Sequence, residues 1–162
     1  MARVALRDIV TDEDRAAALQ LRVAPGQEQF VASVEESLAE AEQFPEAQAR
    51  YWAVYDGDAM VGFTMISDGI AEEDLARDPN LMGPFYLWRL LIDERHQRRG
   101  YGTAVLDAVV EHVRGRGALE LLTSYTAGPG SPGPFYERYG FIPTERFAEG
   151  ERVLRLDLRE KA

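Results

Sequence analysis

The sequence predicts an α+β domain: a mixed, mostly antiparallel central sheet flanked by helices. Four observations predict it. A chain of 162 residues with 46% hydrophobic content can bury one real core, since domains typically run to about 100–200 residues. No repeat, linker or shift of composition divides it, so a single domain over residues 1–162 is expected. Segments of period two and period 3.6 alternate in the order β-α-α-β-β-β-α-β-α-β-β. One long amphipathic stretch, from about Thr103 to Arg116, separates two apolar strands and makes them a candidate parallel crossover.

Val4, Leu6 and Ile9, with Arg3, Arg7 and Asp8 between them, suggest a first strand from about residue 3 to 9. Thr11-Asp12-Glu13-Asp14 is a helix start, and Pro25-Gly26 breaks that helix. Ser33 caps a second helix with Glu36 as its capping-box partner. Val34, Leu38, Ala41 and Phe44 form its apolar stripe, and Pro45 ends it. Tyr51–Tyr55 and Ala59–Ile66 read as strands joined by the turn Asp56-Gly57-Asp58. Residues 67–82 are acidic and are expected to be a solvated connection. Phe85–Ile92 is apolar on both faces, as a central strand covered on both sides requires. Leu119–Thr123 is the next strand, followed by the stiff loop Gly128–Pro134 and a short helix, Phe135–Tyr139, stopped at Gly140. Phe141-Ile142 and Arg152–Leu158 supply the last strands.

Composition removes several function classes. Net charge is −10, which disfavours a nucleic-acid binder, because such proteins carry a basic face. There is no cysteine, hence no disulfide, thiolate ligand or thiol nucleophile. His96 and His112 have no metal-site spacing, so no metal is expected. No signal-peptide core and no membrane-length apolar run is present, so the cytoplasm is the expected compartment, with no membrane partner.

The chemistry concentrates in Gln97-Arg98-Arg99-Gly100-Tyr101-Gly102-Thr103, between an apolar strand and a helix start. Closely spaced glycines permit positive φ and close ligand approach. The unpaired N–H groups and dipole of the helix start favour an anion such as a phosphate. The same residues could also form a basic surface turn touching only water.

This loop, followed some forty residues later by Phe135-Tyr136-Glu137-Arg138-Tyr139-Gly140-Phe141, resembles the GNAT superfamily of N-acetyltransferases. Gln97, Gly100 and Gly102 satisfy the family's acetyl-CoA loop pattern. The stretch Gln27–Leu38, with Val61-Gly62-Phe63, is similar to bacterial spermine/spermidine acetyltransferases. The resemblance implies a single GNAT-like fold and acetyl-CoA as co-substrate. It implies that backbone groups of Leu90, Leu91 and Ile92 pair with the pantetheine arm. Amides from Gln97 through Thr103, with Arg98 and Arg99, would hold the pyrophosphate, so Tyr101 falls within the cofactor segment. Tyr136 falls where the family places the general acid; the alternative is a core tyrosine anchoring its short helix.

Four positions depart from the pattern. Pro129 and Pro132 stand where many relatives carry Asn and Ala. Tyr86 and Trp88 stand where others carry a strand glutamate as base. No base follows by carry-over, and Glu28, Glu35 and Glu36 are candidates that also read as solvated helix-face carboxylates. Regular alternation would put Tyr86 and Trp88 on one face with Leu90 and Ile92. There they would either hold an ammonium by cation–π contact or pack in the core. With the acidic charge, the expectation is acetyl transfer to the primary amine of a small cationic, polyamine-like acceptor, with Glu28 and Glu36 among the acceptor-binding residues. A protein or peptide N-acetyltransferase and a non-catalytic acyl-CoA-binding module are the alternatives, and a homodimer is left open.

Overall fold

The computed structural model describes residues 3–79 and 81–159. The elements, in chain order, are β1 (Ala5–Arg7), α1 (Asp12–Leu19), α2 (Val34–Gln43), β2 (Ala49–Asp56), β3 (Ala59–Asp68), α3 (Glu72–Arg77) and β4 (Phe85–Ile92). They continue with α4 (Tyr101–Gly115), β5 (Glu120–Tyr125), α5 (Gly133–Tyr139), β6 (Ile142–Ala148) and β7 (Glu151–Asp157). The seven strands form one sheet in the order β1-β2-β3-β4-β5-β7-β6. Only β4 and β5 run parallel; the other neighbours are antiparallel. The α+β class and the α4 crossover are as the sequence predicts.

The sheet separates two apolar layers. Val105, Val109 and Val113 of α4, with Tyr136 of α5, pack against Leu87, Leu121 and Leu154 on one face. Ala18, Leu21, Val34 and Leu38 pack against Phe63, Met65 and Leu91 on the other. The helix starts follow their sequence signals. Thr11 accepts from the Asp14 N–H at 3.0 Å, and Ser33 with Glu36 forms a complete capping box. The stripe of α2 is shorter than expected: Val34 and Leu38 are buried, but Phe44 is 41% exposed because the chain leaves the helix there and turns at Pro45.

The acidic stretch 67–82 differs from the solvated connection expected of it; Asn80 lies outside the described residues. β3 continues through Asp68, whose buried Oδ2 lies 3.1 Å from His112 Nε2 and accepts from Arg116 Nη1 at 3.2 Å. The carboxylate thus ties the end of β3 to the last turn of α4. Glu72, Glu73 and Asp74 then favour a helix start through the dipole, and α3 forms.

Gly62 lies where β3 leaves no room for a side chain against β4. A Cβ there would stand 2.4 Å from the Leu91 carbonyl oxygen. Gly62→Ala is therefore expected to cost about 1–3 kcal/mol, the usual range for overpacking, read as a lower urea midpoint. An unchanged midpoint would show that the two strands have room to separate.

Candidate active site

The site begins where the sheet opens. β4 and β5 meet in register at Tyr86↔Leu122, and the Thr123 hydroxyl reaches the Leu87 carbonyl at 3.0 Å. Beyond that point the edge of β4 facing β5 pairs with no strand among the described residues, while its other edge stays paired to β3 through Ile92. A parallel pair needs a crossover, and the loop that enters α4, with the first residues of that helix, lines the opening. The result is a cleft of about 1490 Å³.

Irregular pairing redirects the β4 side chains. Leu87 lies opposite Ile66 and Arg89 opposite Met65, so Trp88 has no partner across β3. A bulge of this kind reverses the alternation that follows it. Trp88 packs with Leu91 on the α1–α2 side, whereas Leu87, Leu90 and Ile92 pack on the α4 side. Tyr86 and Trp88 therefore do not share a face with Leu90 and Ile92, contrary to regular alternation. The cation over the Trp88 ring is the chain's own Arg89, 5.9 Å from the ring centroid.

After β4 the chain is anchored before it turns. Asp93 is 1% exposed and accepts from the Arg22 N–H at 2.9 Å, the Arg95 N–H at 3.2 Å and Arg95 Nε at 2.7 Å. Gln97 Nε2 donates to the Ile92 carbonyl at 2.9 Å and to Gln27 Oε1 at 2.8 Å, which ties the residue 24–31 segment to the strand end. Arg98 and Gly100 then take φ of 64° and 81°, and Gly100 starts α4 with no side-chain cap and no acid in the first turn. The first N–H groups of α4 are thus left for a ligand or water. Gly102 serves packing rather than open space: a Cβ would stand 3.0 Å from Phe135 Cζ.

That contact helps to place Tyr136. α5 is pressed against α4 at Gly102 and against β5 at Gly133, where a Cβ would meet the Tyr125 ring at 2.7 Å. Tyr136 is buried between Phe135 and Phe141, with both ring centroids 5.5 Å away. Burial pushes its hydroxyl well above the ordinary phenol range; the nearby Thr123 hydroxyl acts in the opposite sense, and Tyr86 and Glu151 reinforce the rise.

The cleft brings together side chains from most of the segments singled out in the sequence. Tyr86, Trp88, Leu90 and Ile92 line it from β4, and Gln97, Arg98, Gly100, Tyr101, Gly102 and Thr103 from the loop and helix start. Glu28, Glu36 and Tyr136 also line it. Leu91 points into the opposite core at 3% exposure, and its carbonyl faces Gly62 of β3 rather than the cleft. Arg99 turns to the Tyr101 hydroxyl, which donates to Asp56. Glu28 and Glu36 are held locally, by the Gly26 N–H at 2.8 Å and by the capping box.

Sequence reasoning missed two polar groupings. Arg89 pairs with Glu40 of α2. The Tyr86 hydroxyl lies 2.6 Å from Ser124 Oγ, and Ser124 donates to Glu151 Oε1 at 3.2 Å. The only signal for the second was the polar pair Thr123-Ser124 between Leu122 and Tyr125 of β5. Among the described residues no group of three or more His, Cys, Asp or Glu is placed to hold a metal. No helix among them is long and apolar enough to cross a membrane.

The acetyltransferase (GNAT) domain family matches residues 47–143. Spermine/spermidine N(1)-acetyltransferase of Bacillus subtilis (strain 168) is 35% identical over 108 residues, 64% of each chain. The match thus spans less than two thirds of that relative. An acetyltransferase from Thermus thermophilus superposes with a TM-score of 0.63 at 22% identity, covering 96% of this chain and 97% of that one. PaiA N-acetyltransferase from Thermoplasma acidophilum, solved with coenzyme A, gives 0.63 at 11% identity, over 95% and 98%.

Asp93 offers a direct test of the anchoring. Burial alone would raise its carboxyl, but hydrogen bonds from Arg95 and the Arg22 N–H outweigh it, so the folded value lies below the ordinary 3.8. A depressed carboxyl contributes stability above its unfolded value and loses it as pH falls toward the folded one. Asp93→Asn is expected to lose about 1–3 kcal/mol at neutral pH, with mutant and wild type converging as the medium drops below 3.8. Urea melts across that range check it; a gap that persists in acid would assign the loss to packing.

Proposed function

The chain belongs to the GNAT acetyltransferase family, and on that premise we propose that it moves an acetyl group from acetyl-CoA to a primary amine of a small cationic, polyamine-like acceptor. The observation that carries the reading is the division of charge along β4. Its Ile92 end meets the uncapped start of α4 and Arg98. Its Tyr86 end, six residues back and so about 20 Å away along a strand, meets Glu149 and Glu151, the nearby Arg89 being paired with Glu40. One end suits a phosphate and the other an ammonium group.

Acetyl-CoA supplies a thioester carbonyl as the electrophile. The chain's part is to hold and polarise it. The open edge of β4 at Leu90 and Ile92 offers backbone groups to an extended arm, as an added strand would be held, while the intervening Leu91 carbonyl faces β3. The N–H groups from Gln97 through Thr103, with Arg98, take the pyrophosphate. Of the two N–H groups the family resemblance offers, Leu91 and Ile92, only that of Ile92 faces the open edge, and it stabilises the charge that develops on the carbonyl oxygen. Tyr136 keeps its proton throughout the neutral range, because burial raises its hydroxyl, and it donates to the departing sulfur as general acid. The acceptor class rests on the curated relative's name, the carboxylates of the Tyr86 end and the net charge of −10.

Turnover with free-thiol detection across a panel of amines tests the reading. Spermidine and simple diamines are expected to outpace amino acids and neutral amines. A clear win for carboxylate-bearing amines would move the acceptor elsewhere. Tyr136→Phe keeps the ring packing and removes the proton, so kcat is expected to fall by about 10²-fold or more with acetyl-CoA affinity unchanged. Near-wild-type kcat would make Tyr136 a packing residue.

Gly102→Val tests the cofactor end. Its side chain displaces Phe135, and acetyl-CoA affinity measured by calorimetry is expected to be lost. Unchanged affinity in the folded protein would remove the loop from the cofactor site.

A further inference from the structure

The acetyl acceptor must lose a proton before it can attack, and the β4 segment that lines the cleft carries no carboxylate. Glu28 and Glu36 are engaged in a turn and a helix cap, and Glu40 is paired with Arg89. Glu151 differs from them. Its carboxylate accepts from Ser124, and Ser124 leads to the Tyr86 hydroxyl at the point where β4 leaves β5.

The direction of this chain of hydroxyls is fixed by its terminus. An ionised carboxylate can only accept, so the Ser124 proton points to Glu151. The Ser124 oxygen then receives the Tyr86 proton. That leaves the Tyr86 oxygen with a lone pair free to accept, on a residue that lines the cleft. We propose that Glu151, acting through the hydroxyls of Ser124 and Tyr86, is the terminal acceptor of the proton shed by the attacking amine. The proposal rests on the acetyltransferase reading and adds to it the missing base.

The protons balance. The ammonium acceptor gives one proton to the Tyr86 oxygen as the Tyr86 proton passes to Ser124 and the Ser124 proton to Glu151. The net change is ammonium plus carboxylate to amine plus carboxylic acid. The nitrogen lone pair then forms the C–N bond, and the C–S bond breaks as Tyr136 protonates the sulfur. The remaining excess N–H proton restores Tyr136 through solvent, and Glu151 sheds its own proton to solvent before the next turnover. Burial and the neighbouring Glu151 and Glu149 raise the Tyr86 hydroxyl, while Ser124 and Arg89 lower it, with a net rise. Tyr86 therefore passes the proton along without resting as a phenolate. Arg89 from β4, Glu149 from the β6–β7 turn and Tyr136 from α5 are the other titratable groups facing this relay.

Three variants cut the relay at different links: Tyr86→Phe, Ser124→Ala and Glu151→Gln. With spermidine as acceptor, each is expected to lower kcat by about 10² to 10⁴, with KM for acetyl-CoA unchanged. The double variant Tyr86→Phe/Glu151→Gln is expected to fall no further than the worse single one, because the links act as a unit. In Glu151→Gln, kcat/KM is expected to keep rising with pH toward the amine's own pKa, where the wild type has levelled off. A readout without turnover uses tyrosine labelled at ¹³Cζ, with Tyr86 assigned by its loss in Tyr86→Phe. Its resonance is expected to move on adding spermidine, and to move in Glu151→Gln as the hydroxyl chain reorients. Additive losses, an unaltered pH profile, or a Tyr86 signal indifferent to both changes would overturn the relay while leaving acetyl transfer intact. A wild type that acetylates no amine at all would overturn both.

Discussion

Everything in this molecule that bears on chemistry depends on the separation of β4 from β5. Parallel neighbours joined by α4 touch at Tyr86↔Leu122 and then diverge. Divergence leaves half of a central strand with backbone groups that no other strand among the described residues takes up. In an ordinary sheet such an edge would be a liability. Here it borders a cleft that the start of α4, α5 and the residue 24–31 segment also line. The bulge at Trp88 belongs to the same constraint. It lets the strand end in a different rotation from the one in which it began, so that Leu90 and Ile92 pack beneath α4.

The surrounding packing keeps that opening in one shape. Asp93 fixes the exit of β4 by taking three hydrogen bonds in a buried position. Gln97 joins the strand end to Gln27. The two glycines at the ends of the close contacts, Gly102 against Phe135 and Gly133 against Tyr125, let α5 approach near enough to bury Tyr136. Positioning of Tyr136 is therefore a consequence of backbone approach, which larger residues at either glycine would prevent. The carboxylate end of the cleft is built differently, from the β6–β7 hairpin and β5, so the two ends can vary independently.

Much of this is legible in the chain. Phe85–Ile92 emerges with its observed bounds, because an apolar run bounded by Pro84 and Asp93 leaves little freedom. Ser33 and Glu36 announce α2 through local chemistry alone. The glycine loop and the Phe135–Phe141 motif mark the cleft because backbone conformation and close approach restrict residue choice. What the sequence hides is tertiary. Nothing local distinguishes a strand with a bulge from a regular one, so the face of Trp88 comes out reversed. Asp68 looks like part of a solvated acidic run because His112 and Arg116, which bury it, are more than forty residues away. Glu151 and Ser124 are likewise joined only by pairing of β5 with β7. Gly102 suggests room for a phosphate, where the structure shows room for Phe135.

The central claim is that the unpaired edge of β4 and the uncapped start of α4 form a single site for acetyl-CoA. The most direct measurement is an amide-resolved ¹⁵N NMR titration with acetyl-CoA in the absence of any amine. The account predicts that the N–H signals of Leu90–Ile92 and of Gln97–Thr103 move together and saturate at one ligand per chain. Saturation with those amides unmoved, or with shifts confined to another face of the sheet, would contradict it.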